Sequence, residues 1–339
     1  GLLTGLSRSF HELLGLRILL GFFEAGHFPC GLKTVQLLLT PRDRAMGNSL
    51  LQSGTALGAV LAPQAIRVLI EPGTGGWRPP FLVIGAGGCV WVLLWLFSIR
   101  PADLRRQVLS GKPAPPDHLA PTADPPRPSF LHFVLSRKFL SLAIMVVCIN
   151  LNWHLFRVWL PKFLRESRGY SLNEMLNFTT FYYIAADVGG LSAGALSGAL
   201  ARRGFSVFSS RMWVFAGCCV LTTLSTAAAL LPAGWPLLAA LLLVAFGGLG
   251  SFTAFYSLTQ DLSWEHQGKL SGMLATTTWL VTAIFHPLFG RYLDRTGNYD
   301  LVVGIMGWLP MVALVAVLLL WNHDSTTAKP VPDAALLGD

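Results

Sequence analysis

Charge is scarce in this sequence. Of its 339 residues, 12% are Asp, Glu, Lys or Arg, about half the share usual in soluble domains. So little polar surface cannot cover a water-soluble fold of this size, which excludes a soluble enzyme. The net charge of +8 forms no basic stripe on a soluble fold, so no nucleic-acid partner is expected. Also lacking are a Gly-rich phosphate loop with its Lys, a metal-ligand spacing, and a nucleophile with an associated base. Neither cofactor nor metal is therefore expected. The five cysteines (Cys30, Cys89, Cys148, Cys218, Cys219) are odd in number and lie in apolar runs, which suits small packing residues better than a disulfide framework. No secretory leader is expected from these first residues. The first residues, from Gly1 rather than Met, read as the tail of an apolar helix, so the expectation is a chain lacking its N-terminus.

What the sequence has in quantity is apolar. Hydrophobic residues make up 53%, mean hydropathy is +0.55, and 34 glycines suit helices packed backbone to backbone in lipid. Runs of about 20 apolar residues, the length that crosses a bilayer, predict nine spans. They cover residues 12–39, 45–70, 79–99, 138–163, 176–201, 211–231, 235–260, 270–290 and 301–321. Eight prolines between Pro101 and Pro128 mark a segment that builds no core and reads as an extended linker. The organisation expected is a partial membrane bundle over 1–99, a cytoplasmic linker over 100–130, a six-helix bundle over 131–323 and a cytoplasmic tail over 324–339. With the linker inside, basic residues divide fourteen to eight in favour of the cytoplasmic face, the bias expected for that orientation.

Two stretches resemble each other three helices apart, Gly198 to Gly204 and Gly290 to Gly297, each glycine-flanked and basic. On opposite membrane faces they suit an inverted repeat; small-plus-basic helix ends are the plainer alternative.

Charged groups within a span cost about 2.5–3.5 kcal/mol on insertion scales and are functional candidates by default. Arg17 and Glu24 lie seven residues apart, on one helix face and about 10 Å apart along the axis. That face offers a guanidinium fork for a carboxylate and an acid able to exchange a proton; a pair locking two helices together is the other reading. His27, one turn on, is either a proton relay or a donor to a backbone carbonyl. Asp187 is either a second proton site or the buried partner of a cation from another helix. Gln52 and Thr55 suit sugar hydroxyls or helix-to-helix bonds. Asn150, Asn152, His154 and Arg157 punctuate an aromatic run; Arg157 either meets an anion or snorkels to the interface beside Trp153 and Trp159. Tyr256, Gln260, Thr278 and Trp279 supply amide, hydroxyl and aromatic groups suited to a sugar.

Three spans, a basic linker and six spans resemble a major facilitator superfamily transporter without its first three helices. The stretch from Arg17 to Pro29 resembles the fourth helix of the anion:cation symporter branch. The stretches from Asn152 to Pro161 and from Tyr256 to Leu262, with His266 to Lys269 and His286-Pro287, are similar to hexuronate transporters. This implies an all-α fold of two bundles and proton-coupled symport of a sugar acid such as glucuronate or galacturonate, in a bacterial inner membrane. It also implies that Arg17 takes the substrate carboxylate and that Glu24 takes part in proton coupling. Two alternatives stay open: transport of another organic anion, such as an aldonate or aromatic acid, and a non-transporting receptor on the same scaffold. The first two helices of that family, which contact substrate, and the signature loop after the second are not in this sequence. The expectation is that the chain does not transport by itself.

Overall fold

The computed structural model of the chain describes residues 1–69, 76–98, 130–263 and 266–321. The inferred linker, apart from Phe130, and the inferred tail lie outside the described residues. Among the described residues all regular structure is helical. Before the linker come α1 (Leu2–Gly5), α2 (Phe10–Glu24), α3 (His27–Leu38), α4 (Arg44–Leu69) and α5 (Arg78–Ser98). After it come α6 (Phe130–Val134), α7 (Arg137–Lys162), α8 (Leu172–Arg202), α9 (Val207–Leu230), α10 (Trp235–Leu262), α11 (Gln267–Thr296), α12 (Tyr299–Met306) and α13 (Leu309–Leu320). A π-helical turn, Phe163–Ser167, extends α7 just past Pro161, which has no N–H for the carbonyl of Arg157. Serines start several helices: Ser9, Ser136, Ser171 and Ser206 each accept a backbone N–H of the first turn, satisfying donors that the helix leaves open.

Eight helical segments among the described residues are long and apolar enough to cross a bilayer. The remaining predicted span, 45–70, forms α4, whose 26 residues reach about 39 Å, more than a hydrocarbon core. Its apolar content falls short because Asn48, Ser49 and Gln52, all buried, are spent on the neighbouring bundle. Two predicted spans are broken. In the first, α2 gives way to α3 at Ala25–Gly26, where the ring of Pro29 crowds the carbonyl of Ala25, four residues back. In the last, α12 ends at Gly307, near the middle of the 22-residue candidate span Tyr299–Leu320. Hydroxyls of α9 take the carbonyls there: Thr222 donates to Gly307 O at 2.8 Å and Thr226 to Gly304 O at 2.9 Å. A break in lipid is tolerable only when the freed groups are paired in this way.

The helices after the linker gather around α10, which is buried almost without interruption from Val244 to Gln260. Close approach needs glycine at Gly189 of α8, where an added Cβ would run into the carbonyl of Phe246 on α10. Backbone cannot yield as a side chain can, so Gly189→Ala is expected to destabilise by about 1–3 kcal/mol. Gly190→Ala, which meets only Leu249 side-chain atoms at 3.8 Å, is expected to melt near the parent. Thermal unfolding of both variants in detergent checks the contrast.

The two repeated stretches both end helices on glycine in the left-handed region, Gly204 at φ +95° and Gly297 at φ +61°. That conformation is open to Gly at little cost, which explains the shared glycine without an internal repeat.

Before the linker, α2 has no buried residue, and α5 is largely exposed. The inner surfaces of α3 and α4 instead pack on α8, α10 and α11, and the candidate site forms along that seam.

Candidate functional site

The seam is a polar ladder between α4 and α10. On α4, Arg44, Asn48 and Gln52 recur every four residues and share one face; Ala45, Ser49 and Ser53 form the adjoining stripe. On α10, Asp261, Ser257 and Thr253 do the same in the opposite direction. Arg44 meets Asp261 at 3.3 Å, Asn48 donates to Ser257 Oγ at 3.1 Å, and Ser49 and Thr253 share a hydroxyl bond of 3.0 Å. Higher up, Tyr256 donates to Gln52 Oε1 at 3.0 Å. The helices are therefore antiparallel and in register.

The lower end of the ladder is closed by charge. Asp261 also pairs with Arg211 of α9, a guanidinium only 1% exposed, which donates as well to the carbonyl of Pro41 at 2.6 Å. Gln36 of α3 donates to the carbonyls of Gln260 at 2.7 Å and Ser263 at 3.2 Å. Gln260, expected among the substrate contacts, is taken up here: its amide donates to Leu32 O at 2.8 Å and Asn48 Oδ1 at 3.0 Å, and its carbonyl accepts from Asn48 at 2.9 Å. With the linker inside, this is the cytoplasmic end.

Above the closure lies a cavity of about 220 Å³ formed by α3, α4, α7, α10 and α11. It contains eight of the candidates read from the sequence: Gln52, Thr55, Asn150, His154, Arg157, Tyr256, Thr278 and Trp279. Tyr256 forms its floor, stacked on Phe28 with ring centres 5.8 Å apart. His154 and Trp279 meet at 4.9 Å on one wall. Arg157, beside Tyr183 of α8, reaches the cavity from the end away from the closure and is exposed there, as is Trp279. It is the one Lys or Arg among the described lining residues, and no carboxylate lines the cavity with it. The chamber thus carries one formal positive charge amid amides, hydroxyls and aromatic faces.

The remaining candidates lie elsewhere. Arg17 is exposed, with its guanidinium 5.1 Å from the ring centre of Phe81 on α5. Glu24 is exposed and borders a separate groove with Leu20, Ile66 and Phe81. The common face of Arg17 and Glu24 therefore addresses α5 rather than the cavity. His27 is exposed, its ring edge-on to Phe28 at 5.7 Å. Asp187 accepts from Ser53 of α4 at 3.0 Å, so the partner found across the seam is a hydroxyl rather than the cation considered above. Asn48, Ser49, Ser53, Gln36 and Asp261 were not singled out from the sequence. Their signal was there in α4, as polar residues recurring every four positions in an otherwise apolar helix.

A multi-pass helical membrane protein with a small-solute cavity sealed at one end between two packed helix sets is, as a class, a membrane transporter. The Major Facilitator Superfamily model matches residues 1–284. The chain belongs to that superfamily, a family of transporters rather than enzymes; in a bacterium such a protein lies in the inner membrane. It is 26% identical over 327 residues to the probable sulfoacetate transporter SauU of Cupriavidus necator, covering 94% of this chain and 74% of that one. It is 24% identical over 334 residues to the hexuronate transporter of Escherichia coli K12, with the same coverages. It is 29% identical over 199 residues to the galacturonate transporter of Dickeya chrysanthemi, covering 56% of each. Among solved structures, a bacterial homologue of the iron transporter ferroportin in an outward-facing state shares the fold. Its TM-score is 0.64 at 19% identity, over 95% of this chain and 76% of that one.

Proposed function

We propose that this protein carries a small organic anion, a hexuronate first, together with a proton. The observation that supports this most is the formal positive charge of Arg157, the one Lys or Arg among the described lining residues, in a cavity lined also by amides, hydroxyls, the His154 imidazole, aromatic rings and aliphatic side chains. One carboxylate matches one guanidinium, and a bidentate pair fixes its orientation. Sugar hydroxyls suit Gln52, Asn150 and Thr278; an apolar ring face suits Trp279. At about 220 Å³ the cavity is smaller than the roughly 300–1,000 Å³ of drug-sized sites, in keeping with a single sugar acid. Relatives named for hexuronate, galacturonate and sulfoacetate transport are consistent with a small anion and widen the choice to sulfonates. In this reading Arg157, rather than Arg17, grips the anion.

Glu24 is the proposed proton-coupling group. It ends α2 immediately before the break at Ala25–Gly26, and α3 beyond the break brings Phe28 and Leu32 to the cavity wall. A change of charge at Glu24 therefore acts at a joint whose far side touches the cavity. Glu24→Gln is expected to retain exchange of labelled glucuronate across vesicles but to lose accumulation driven by a proton gradient. Undiminished accumulation would remove Glu24 from the mechanism. Competition by glucuronate, gluconate and sulfoacetate at equal concentrations ranks the substrates, and strongest competition by sulfoacetate would move the assignment to sulfonates.

A further inference from the structure

A further concavity lies on the outer surface of the helices after the linker, between α7 and α13, with a volume of about 500 Å³. Ile144 forms one wall; Met311, Val315, Ala316 and Leu319, spaced three and four apart on α13, form the other. Its lining is apolar throughout, apart from the indole N–H of Trp308 at one end, and that group is already donated to Thr226 Oγ1 at 2.9 Å. No polar solute finds a partner here. Val312, Val315 and Leu319 are exposed at 52%, 49% and 73% in a segment long and apolar enough to cross a bilayer, so the groove faces hydrocarbon.

Its dimensions and its ends identify what fills it. From Trp308 to Leu320 the groove runs about 18 Å along the helix, close to the depth of one leaflet of a roughly 30 Å core. It starts at the break in the last span and finishes beside Trp321. There the surface changes character. Lys138 Nζ stands 5.8 Å from the Trp321 ring centre, and Trp321 stacks on Phe208. Arg137 opens α7 and is exposed; it lies seven residues before Ile144, hence on the same face and about 10 Å along the axis. An apolar slot one leaflet long thus ends in an interfacial tryptophan and two cations.

We propose that this groove is a binding site for an anionic phospholipid, with one acyl chain against α13 and the phosphate at Arg137 and Lys138. An acyl chain gains little by leaving bulk lipid for an apolar protein wall, because both are equally apolar. Selectivity must come from the headgroup, and a basic residue near the membrane surface favours an anionic lipid by about fivefold. Two such residues give roughly thirtyfold over a zwitterionic lipid. The basic end is the one expected to face the cytoplasm, where anionic lipid is abundant.

The test is native mass spectrometry of the protein released from detergent after titration with dioleoyl phosphatidylglycerol or dioleoyl phosphatidylcholine. The expected result is retention of phosphatidylglycerol at about thirtyfold lower concentration. The double change R137Q/K138Q is expected to bring the two lipids to parity, and Ala316→Trp, which fills the groove, to abolish tight retention of both. Val315→Trp, at an exposed position, repeats the blocking test should Ala316→Trp misfold. Equal retention of the two lipids by the parent would overturn the proposal. So would selectivity that survives R137Q/K138Q, or retention unaffected by either tryptophan. Dimers lost on blocking the groove would likewise overturn it, by making the groove a contact between copies of this chain.

Discussion

Arg157→Gln is expected to raise the glucuronate concentration for half-maximal uptake by about ten- to a hundredfold, with little change in maximal rate. The magnitude follows from losing a hydrogen bond to a charged group, which contributes about 1.5–3 kcal/mol. Neutral Gln leaves the cavity without formal charge among its described lining residues, and the anion must then desolvate its carboxylate with no cation to receive it. Arg157→Lys keeps the charge but loses the planar fork, so it is expected to fall between parent and Gln. Arg17→Gln is the informative companion. Arg17 lies over Phe81 and outside the cavity, so its loss is expected to change half-saturation far less. The opposite ranking of the two arginines would return the carboxylate to Arg17, as the family resemblance alone implies.

The largest conformational effect is expected from Asp261→Asn. Asp261 pairs with both Arg44 and the almost fully buried Arg211. Removing the partner of a buried charge costs about 3–5 kcal/mol, far more than the net contribution of the intact pair. That cost falls on the closed conformation alone, since separating α4 from α10 lets water reach both guanidiniums. The equilibrium should therefore move toward opening at this end by roughly two to nearly four orders of magnitude. Spin labels at Arg42 and Gly268, both exposed near the closure, report it. Their distance distribution is expected to shift to longer values in Asp261→Asn and to stay put in Asp43→Asn. Among the described residues the Asp43 carboxylate accepts across its own turn, from Thr40 at 2.6 Å, and Asp43 serves as the control. Unchanged distances in Asp261→Asn would mean that the cluster is not what holds this end shut.

Much of the fold could be read from the sequence because a run of about 20 apolar residues has few alternatives to a helix in lipid. Predicted spans such as 138–163 and 235–260 differ by only a few residues from α7 and α10. The two broken spans passed as single runs since apolarity continues through a break. Gly26 with Pro29, and Gly307 with Pro310, were the local signs. Eight of the polar and aromatic residues singled out in the sequence line one cavity, because polar groups inside apolar helices have few places to go. The charge cluster was not legible. Arg44 and Arg211, two of the fourteen basic residues counted toward the cytoplasmic face, are buried against Asp261, and a count of basic residues carries no information on which carboxylate faces them. Helical geometry correctly put Arg17 and Glu24 on one face. Which neighbour that face meets is a tertiary fact, and here it is α5.

The central claim is proton-coupled movement of a sugar acid. Its most direct test is the uptake of labelled glucuronate into vesicles containing the full-length protein, under an imposed inward proton gradient, with and without a protonophore. The account expects accumulation above the external concentration that collapses when the protonophore is added. Uptake that only equilibrates, or that is indifferent to the protonophore, in vesicles where the protein is folded and inserted, would contradict it.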